Sequence, residues 1–236
     1  MNRIMKENNG TSNSGLRFLA NAISVLLHPV FMPLLCCVVL YTTMPQLFEA
    51  VKPKILTGWL GMIVINTVIF PILLMLLLKG LGFIKSIYLK DVKERVIPLI
   101  GIMVFYFWAY WVVKNVGVPS APDAAWPKTV VEGPQVPQLA HILLLGNFWG
   151  LIIVFLVTIF FKISMHTSGV GALLGFVVVM MIVAKTLLLW PLIVAVVAAI
   201  LIGWARYKLG AHSRQQLWLG YFVGIAAQIA AYCYIL

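Results

Sequence analysis

Lys185-Thr-Leu-Leu-Leu-Trp190-Pro191 separates two apolar runs, about 169–189 and about 191–209, and how it is read decides the fold. Proline removes a backbone donor and tryptophan suits a membrane interface, so the stretch reads as a break between two spans rather than the interior of one long helix. With that break the chain has seven apolar spans, at about 19–43, 56–81, 96–116, 138–161, 169–189, 191–209 and 215–236. Seven crossings put the termini on opposite sides. The connectors after the second, fourth and sixth spans then share a side with the N-terminus, and they carry Lys90 to Pro98, Lys162 to His166 and Arg206 to Arg214. Three polar clusters are thereby expected to converge at one membrane face.

Composition supports the same class. Of 236 residues, 63% are apolar and only 10% charged, which excludes a soluble domain and predicts an all-α polytopic integral membrane bundle. Short alternating strand patterns are absent, and helices satisfy backbone polar groups internally in lipid. A net charge of +11 would suggest nucleic acid in a soluble protein, but here the cations sit in short connectors beside apolar spans. Membrane lipids with anionic headgroups are therefore the expected partners, and nucleic acid is not. Cys36, Cys37 and Cys233 lack metal-ligand spacing and read as packing residues.

Residues 1–18 read as a polar, Asn/Ser/Gly-rich tail, disordered and cytoplasmic rather than a cleaved signal, followed by one helical domain over 19–236. Of the 17 Lys and Arg residues, 12 fall on the N-terminal side and five on the other (Lys52, Lys54, Lys114, Lys128, Lys185). The cluster face is expected to be cytoplasmic, in a bacterial inner membrane. Gly117 to Pro137, with five prolines, reads as an external loop. Gly171 and Gly175, and Gly220 and Gly224, have the small-xxx-small spacing that lets helices approach closely.

Two clusters carry the candidate chemistry. In Lys162-Ile-Ser-Met-His-Thr-Ser-Gly169 and Arg206-Tyr-Lys-Leu-Gly-Ala-His212-Ser-Arg-Gln-Gln216, histidines and cations lie where one span ends and the next begins. Helix N-termini and Lys/Arg together favour phosphate, although connectors with basic residues facing headgroups would read the same way. His212 and Gln216 are four apart at a helix start and share a face, and Arg206 can fold back across the turn.

At these residues the chain resembles the type 2 phosphatidic acid phosphatase family. That family's third motif is Ser-Arg-x5-His-x3-Asp, matched by Ala205-Arg206, His212 and Gln216, with Leu217 and Gly220 after it. Its second motif, Pro-Ser-Gly-His, is similar to Ile163-Ser164-Met165-His166, which keeps serine and histidine. Its first motif, Lys-x6-Arg-Pro, is similar to Lys90 and Pro98, with Ile97 in the arginine position and Lys93 or Arg95 left to supply that charge. The resemblance covers roughly residues 80 to 225 and implies a phosphatase-like core there.

The resemblance implies a lipid phosphatase with no metal or other cofactor, acting on a lipid phosphomonoester or diphosphate through a phosphohistidine. His212 would be the nucleophile and His166 the acid that protonates the leaving alkoxide. Lys90, Arg95, Ser164 and Arg206 would hold the phosphoryl oxygens, and Gln216 would orient His212. Gln216 stands where the family has aspartate, and an amide orients an imidazole without stabilising its positive charge. In serine proteases the corresponding change lowers kcat about 10⁴-fold. The alternative is a catalytically degenerate member that binds or moves an anionic lipid. An unrelated secondary transporter is weakened by the lack of paired polar sites at mid-span.

Several other residues have plainer readings. His28, in Leu27-His28-Pro29, is intramembrane and open to a functional role, but the plainer expectation is that it bonds carbonyls freed by the two nearby prolines. His141 reads as interfacial, Asn66 and Asn147 as interhelical hydrogen-bonders, and Trp108 and Trp111 as packing or interface anchors.

Overall fold

The structure, a computed structural model, describes residues 2–49, 51–86, 92–115 and 137–236. The described chain is helical throughout, in the order α1 (Asn2–Leu26), α2 (Met32–Thr43), α3 (Pro53–Val64), α4 (Phe70–Gly80), α5 (Val92–Asn115), α6 (Gln138–Phe160), α7 (Met165–Ala184), α8 (Leu189–Lys208) and α9 (Arg214–Ile235). Among the described residues seven segments are long and apolar enough to cross a membrane, beginning with Ser14–Thr43 and Pro53–Gly80, each of which is interrupted. The protein is a polytopic helical membrane protein. Lys90, Asp91 and the connector from Gly117 to Val136 lie outside the described residues.

Helix boundaries differ from the sequence reading at three places. α1 is helical from Asn2, within the stretch read as a disordered tail. α7 begins at Met165 rather than near 169, because Ser164 caps it and its Oγ accepts the Thr167 N–H at 3.4 Å. His166 therefore stands in the first turn of a helix and not in a loop. The break before α8 comes at Lys185, which takes the left-handed conformation at φ 52 and ends α7. Trp190-Pro191 falls inside the first turn of α8, where the missing proline N–H has no intrahelical acceptor to lose.

The second span changes pitch instead of breaking. Pro71 cannot donate to the carbonyl four residues back and its ring crowds that carbonyl, and the turn just before it, Ile65–Ile69, is a π-helix. Asn66 and Asn147, read as interhelical bonders, bond within their own helices to the carbonyls of Met62 and Leu143 at 2.9 and 2.8 Å. A cross-helix bond comes instead from Gln228, whose Nε2–H donates to Leu143 O at 3.2 Å.

The core gathers α2, α3, α6 and α7 around Cys36, Cys37, Trp59, Leu143, Phe176 and Met180, all almost fully buried. α7 and α9 form the most extensive helix pair among the described residues. Their glycines make that possible. A Cβ on Gly220 would overlap Thr167 Oγ1, one on Gly224 would overlap Ser168 O, and one on Gly171 would come within 2.8 Å of Tyr221 Cα. The small-residue spacing thus brings two backbones together at the N-terminal end of α7, where the polar clusters lie.

Candidate functional site

The turn between α8 and α9 sets the geometry. Gly210, at φ +65, follows the C-cap Leu209 of α8, and its N–H donates to Tyr207 O at 2.9 Å while the Ala211 N–H donates to Arg206 O at 3.1 Å. This paired arrangement is a Schellman closure, which needs the left-handed residue that glycine supplies. It folds His212 back over Arg206. α9 then starts with a reciprocal cap: Ser213 Oγ accepts the Gln216 N–H at 3.4 Å, and Gln216 Oε1 accepts the Ser213 N–H at 3.1 Å.

Gln216 Oε1 also faces His212 Nδ1 at 3.3 Å. The Ser213 N–H can only donate, so the amide atom there is the oxygen, and the imidazole atom facing that oxygen must carry a hydrogen. His212 is thereby held as the Nδ1–H tautomer with its Nε2 lone pair outward. Burial pulls the His212 pKa from 6.5 to about 4, with the nearby Arg206 charge second, while the Gln216 bond acts weakly in the opposite sense. At neutral pH the ring is uncharged and nucleophilic.

His166 is held differently. Pro29 stops the first span from continuing as an α-helix, and the His28 N–H goes to Val25 O at 3.3 Å. The Ser24 carbonyl, which His28 would otherwise occupy, is left to accept from His166 Nε2 at 3.1 Å across 142 residues of sequence. A carbonyl only accepts, so His166 carries a hydrogen on Nε2 and its titratable position is Nδ1. The His28 ring packs edge-on to His166 with centroids 5.1 Å apart and planes at 85°.

Arg206 is the common neighbour. Its guanidinium lies within electrostatic range of His28, His166, His212 and Arg95, and its Nε is buried with no hydrogen-bond partner among the described residues. Arg95, 5% exposed on α5, brings a second guanidinium towards the same locus. Two converging cations repel each other, and an anion placed between them offsets the repulsion. Lys162 is exposed and close enough to act on His212.

The residues proposed from sequence therefore divide as follows. His166, Arg206, His212, Gln216 and Arg95 come together, and Lys90 is outside the described residues. Ser164 is fully buried, with its hydroxyl committed to capping α7 and its N–H donating to Gln216 O at 3.4 Å, so its visible role is to tie α7 to α9. His28 joins the group, the functional one of its two sequence readings, and instead of a freed carbonyl its Nδ1 meets the Val30 N–H; the signal available was a histidine before a proline midway along an apolar span. Among the described residues no cluster of His, Cys, Asp and Glu could hold a metal ion. No protein-family model matches the chain, and neither a curated protein nor a solved structure matches it.

Proposed function

We propose that the protein is an integral membrane lipid phosphatase that hydrolyses a phosphomonoester or diphosphate of a lipid through a phosphohistidine. The observation that carries this reading is the meeting of a neutral His212, whose Nε2 keeps its lone pair, with His166, the half-buried Arg206 and the buried Arg95 beside two capped helix N-termini. Phosphoryl transfer is mostly positioning and charge neutralisation, and this group supplies both.

In the proposed sequence His212 Nε2 attacks phosphorus, an N–P bond forms and the bond to the lipid oxygen breaks. The leaving oxygen takes a proton from Nδ1 of His166, the nitrogen of that ring not engaged by Ser24, which the bound phosphoryl anion favours in its protonated form. Water then attacks the phosphohistidine and gives its proton to His166 Nδ1, and phosphate leaves as the N–P bond breaks. Arg206 and Arg95 hold the non-bridging oxygens throughout.

A lipid fits the surroundings. An apolar cleft of about 350 Å³ runs between α1 and α8, lined by Ile23, Leu26, Leu27, Val194, Val197 and Leu201 among others. Leu201 lies five residues before Arg206, about 7.5 Å along the helix at 1.5 Å per residue, so a chain lying in the cleft can present its headgroup to the cations. The test is phosphate release by purified protein from a panel of lipid phosphates, beside His212→Ala. Release that disappears in the variant supports hydrolysis. No release from any lipid, with headgroup binding retained, selects a binding protein, the reading favoured by the uncharged amide at Gln216.

A further inference from the structure

His28 has no role in those steps, yet it is the third imidazole within range of Arg206. It opens the short 3₁₀ turn Pro29–Phe31, where its Nδ1 accepts the Val30 N–H at 3.3 Å. A backbone N–H only donates, so Nδ1 carries the lone pair and the neutral ring carries its hydrogen on Nε2. No described residue accepts from that Nε2–H. His28 is an exposed residue, and the aromatic neighbours of its ring are His166 and, at 6.5 Å, Phe31.

An unpartnered N–H midway along an apolar span is costly in hydrocarbon, and such a group marks a functional position by default. What it faces is a locus already crowded with positive charge from Arg206 and Arg95. A neutral donor suits that place, because it binds an anion without adding to the repulsion between cations.

We infer that His28 Nε2–H donates to a phosphoryl oxygen of the anionic group held by Arg206 and His212, so that the break in the first span supplies a third wall of the phosphate site. This rests on the phosphate reading of the cluster but not on hydrolysis. Nothing in the residues proposed from sequence assigned a ligand contact to the first span, and this one enters the site from 138 residues before His166 in the chain, by the difference of their numbers.

Two substitutions separate the contact from the turn. His28→Asn places an acceptor near the position of Nδ1 and keeps the Val30 bond but cannot reach as far as Nε2; His28→Gln places an amide N–H near Nε2 but gives up the turn. With dihexanoyl phosphatidate as substrate, the asparagine variant should lose about 10- to 100-fold in kcat/KM, the loss expected for one hydrogen bond to a charged group, and the glutamine variant should retain more activity. His28→Ser repeats the turn-preserving arm with a second residue that accepts the Val30 N–H, and should lose as much as asparagine. Equal losses in Asn and Gln, no loss in Asn, or a weaker Gln variant would each overturn the assignment. If the wild type releases no phosphate from any lipid, hydrolysis fails on its own. The affinity of the same variants for inorganic phosphate then decides: weaker binding by Asn than by Gln supports the contact, and equal or reversed affinities reject it.

Discussion

The seam between α7 and α9 and the break in the first span both reach the histidine cluster, and they are built in opposite ways. Along the seam, Gly220 and Gly224 let α9 rest directly on the backbone of Ser164, Ser168 and Ala172, and the Ser164 N–H bonds Gln216 O. At the break, a helix that stops at Leu26 leaves Ser24 O and the His28 ring to be used by residues elsewhere. The seam fixes position through close packing; the break supplies polar groups that an intact helix would have consumed. One half of the site is rigid because backbone meets backbone, and the other is chemically equipped because its ladder is incomplete.

The largest expected effect comes from opening the seam. Gly224→Leu places a side chain where Ser168 O and the Ala172 N already are, and backbone atoms cannot move aside as a flexible side chain can. Folded protein should be lost, as judged by monodisperse elution in detergent. Gly58→Leu, at a glycine with nothing within 4 Å of the added atom, should fold normally. Equal behaviour of the two variants would mean that the seam does not hold the bundle together.

Gln216 lies on the seam and contacts the chemistry, and its substitution should alter rate without altering fold. Glutamate has the same length, so Gln216→Glu keeps an oxygen where Oε1 accepts from His212 Nδ1 and adds the missing charge; aspartate, one methylene shorter, would not reach as well. Turnover should rise about 10²- to 10⁴-fold, the range that acid-base and triad effects span. The pH profile gives a second readout. The acid limb of wild-type kcat/KM belongs near pH 4, since His212 has a pKa of about 4 and must lose its proton to attack. A carboxylate beside the ring favours the imidazolium, so the limb should move to higher pH in the glutamate variant. An unmoved limb would show that His212 is not the titrating nucleophile.

Much of this arrangement was legible in the sequence, and the division follows the range of the interactions. Seven spans could be read because hydropathy is a property of consecutive residues, and the glycine spacing of α7 and α9 showed a close contact because period and face are local. The Arg206–His212 turn was equally local, with Gly210 in the middle to supply the left-handed residue. The π turn before Pro71, and the end of α7 at Lys185 instead of Trp190-Pro191, depend on how a helix relieves strain. The pairing of His28 and Ser24 with His166 was beyond reach, since it requires knowing which helix packs against the break. Gln228 shows the same limit, crossing to Leu143 while the two asparagines turn inward to their own helices.

The smallest expected effect lies where the two regions touch. Gly169, in the second turn of α7, faces the break: an added Cβ would lie 2.9 Å from Met32 Cγ and 3.3 Å from Pro29 Cα. The nearer atom belongs to a flexible methionine that can shift, so Gly169→Ala should cost about 1 kcal/mol, at the low end of overpacking, and lower Tm by about 2–4 °C. Pro29 has less freedom, and moving it displaces the residue before it, which is His28. Phosphate release should therefore fall proportionately more than stability. His212 and Gln216 are reached through the seam rather than the break, so the acid limb of the pH profile should stay where it is in the wild type. If the limb shifts with the rate, the two halves of the site are mechanically one, and the separation between a fixed seam and an adjustable break does not hold.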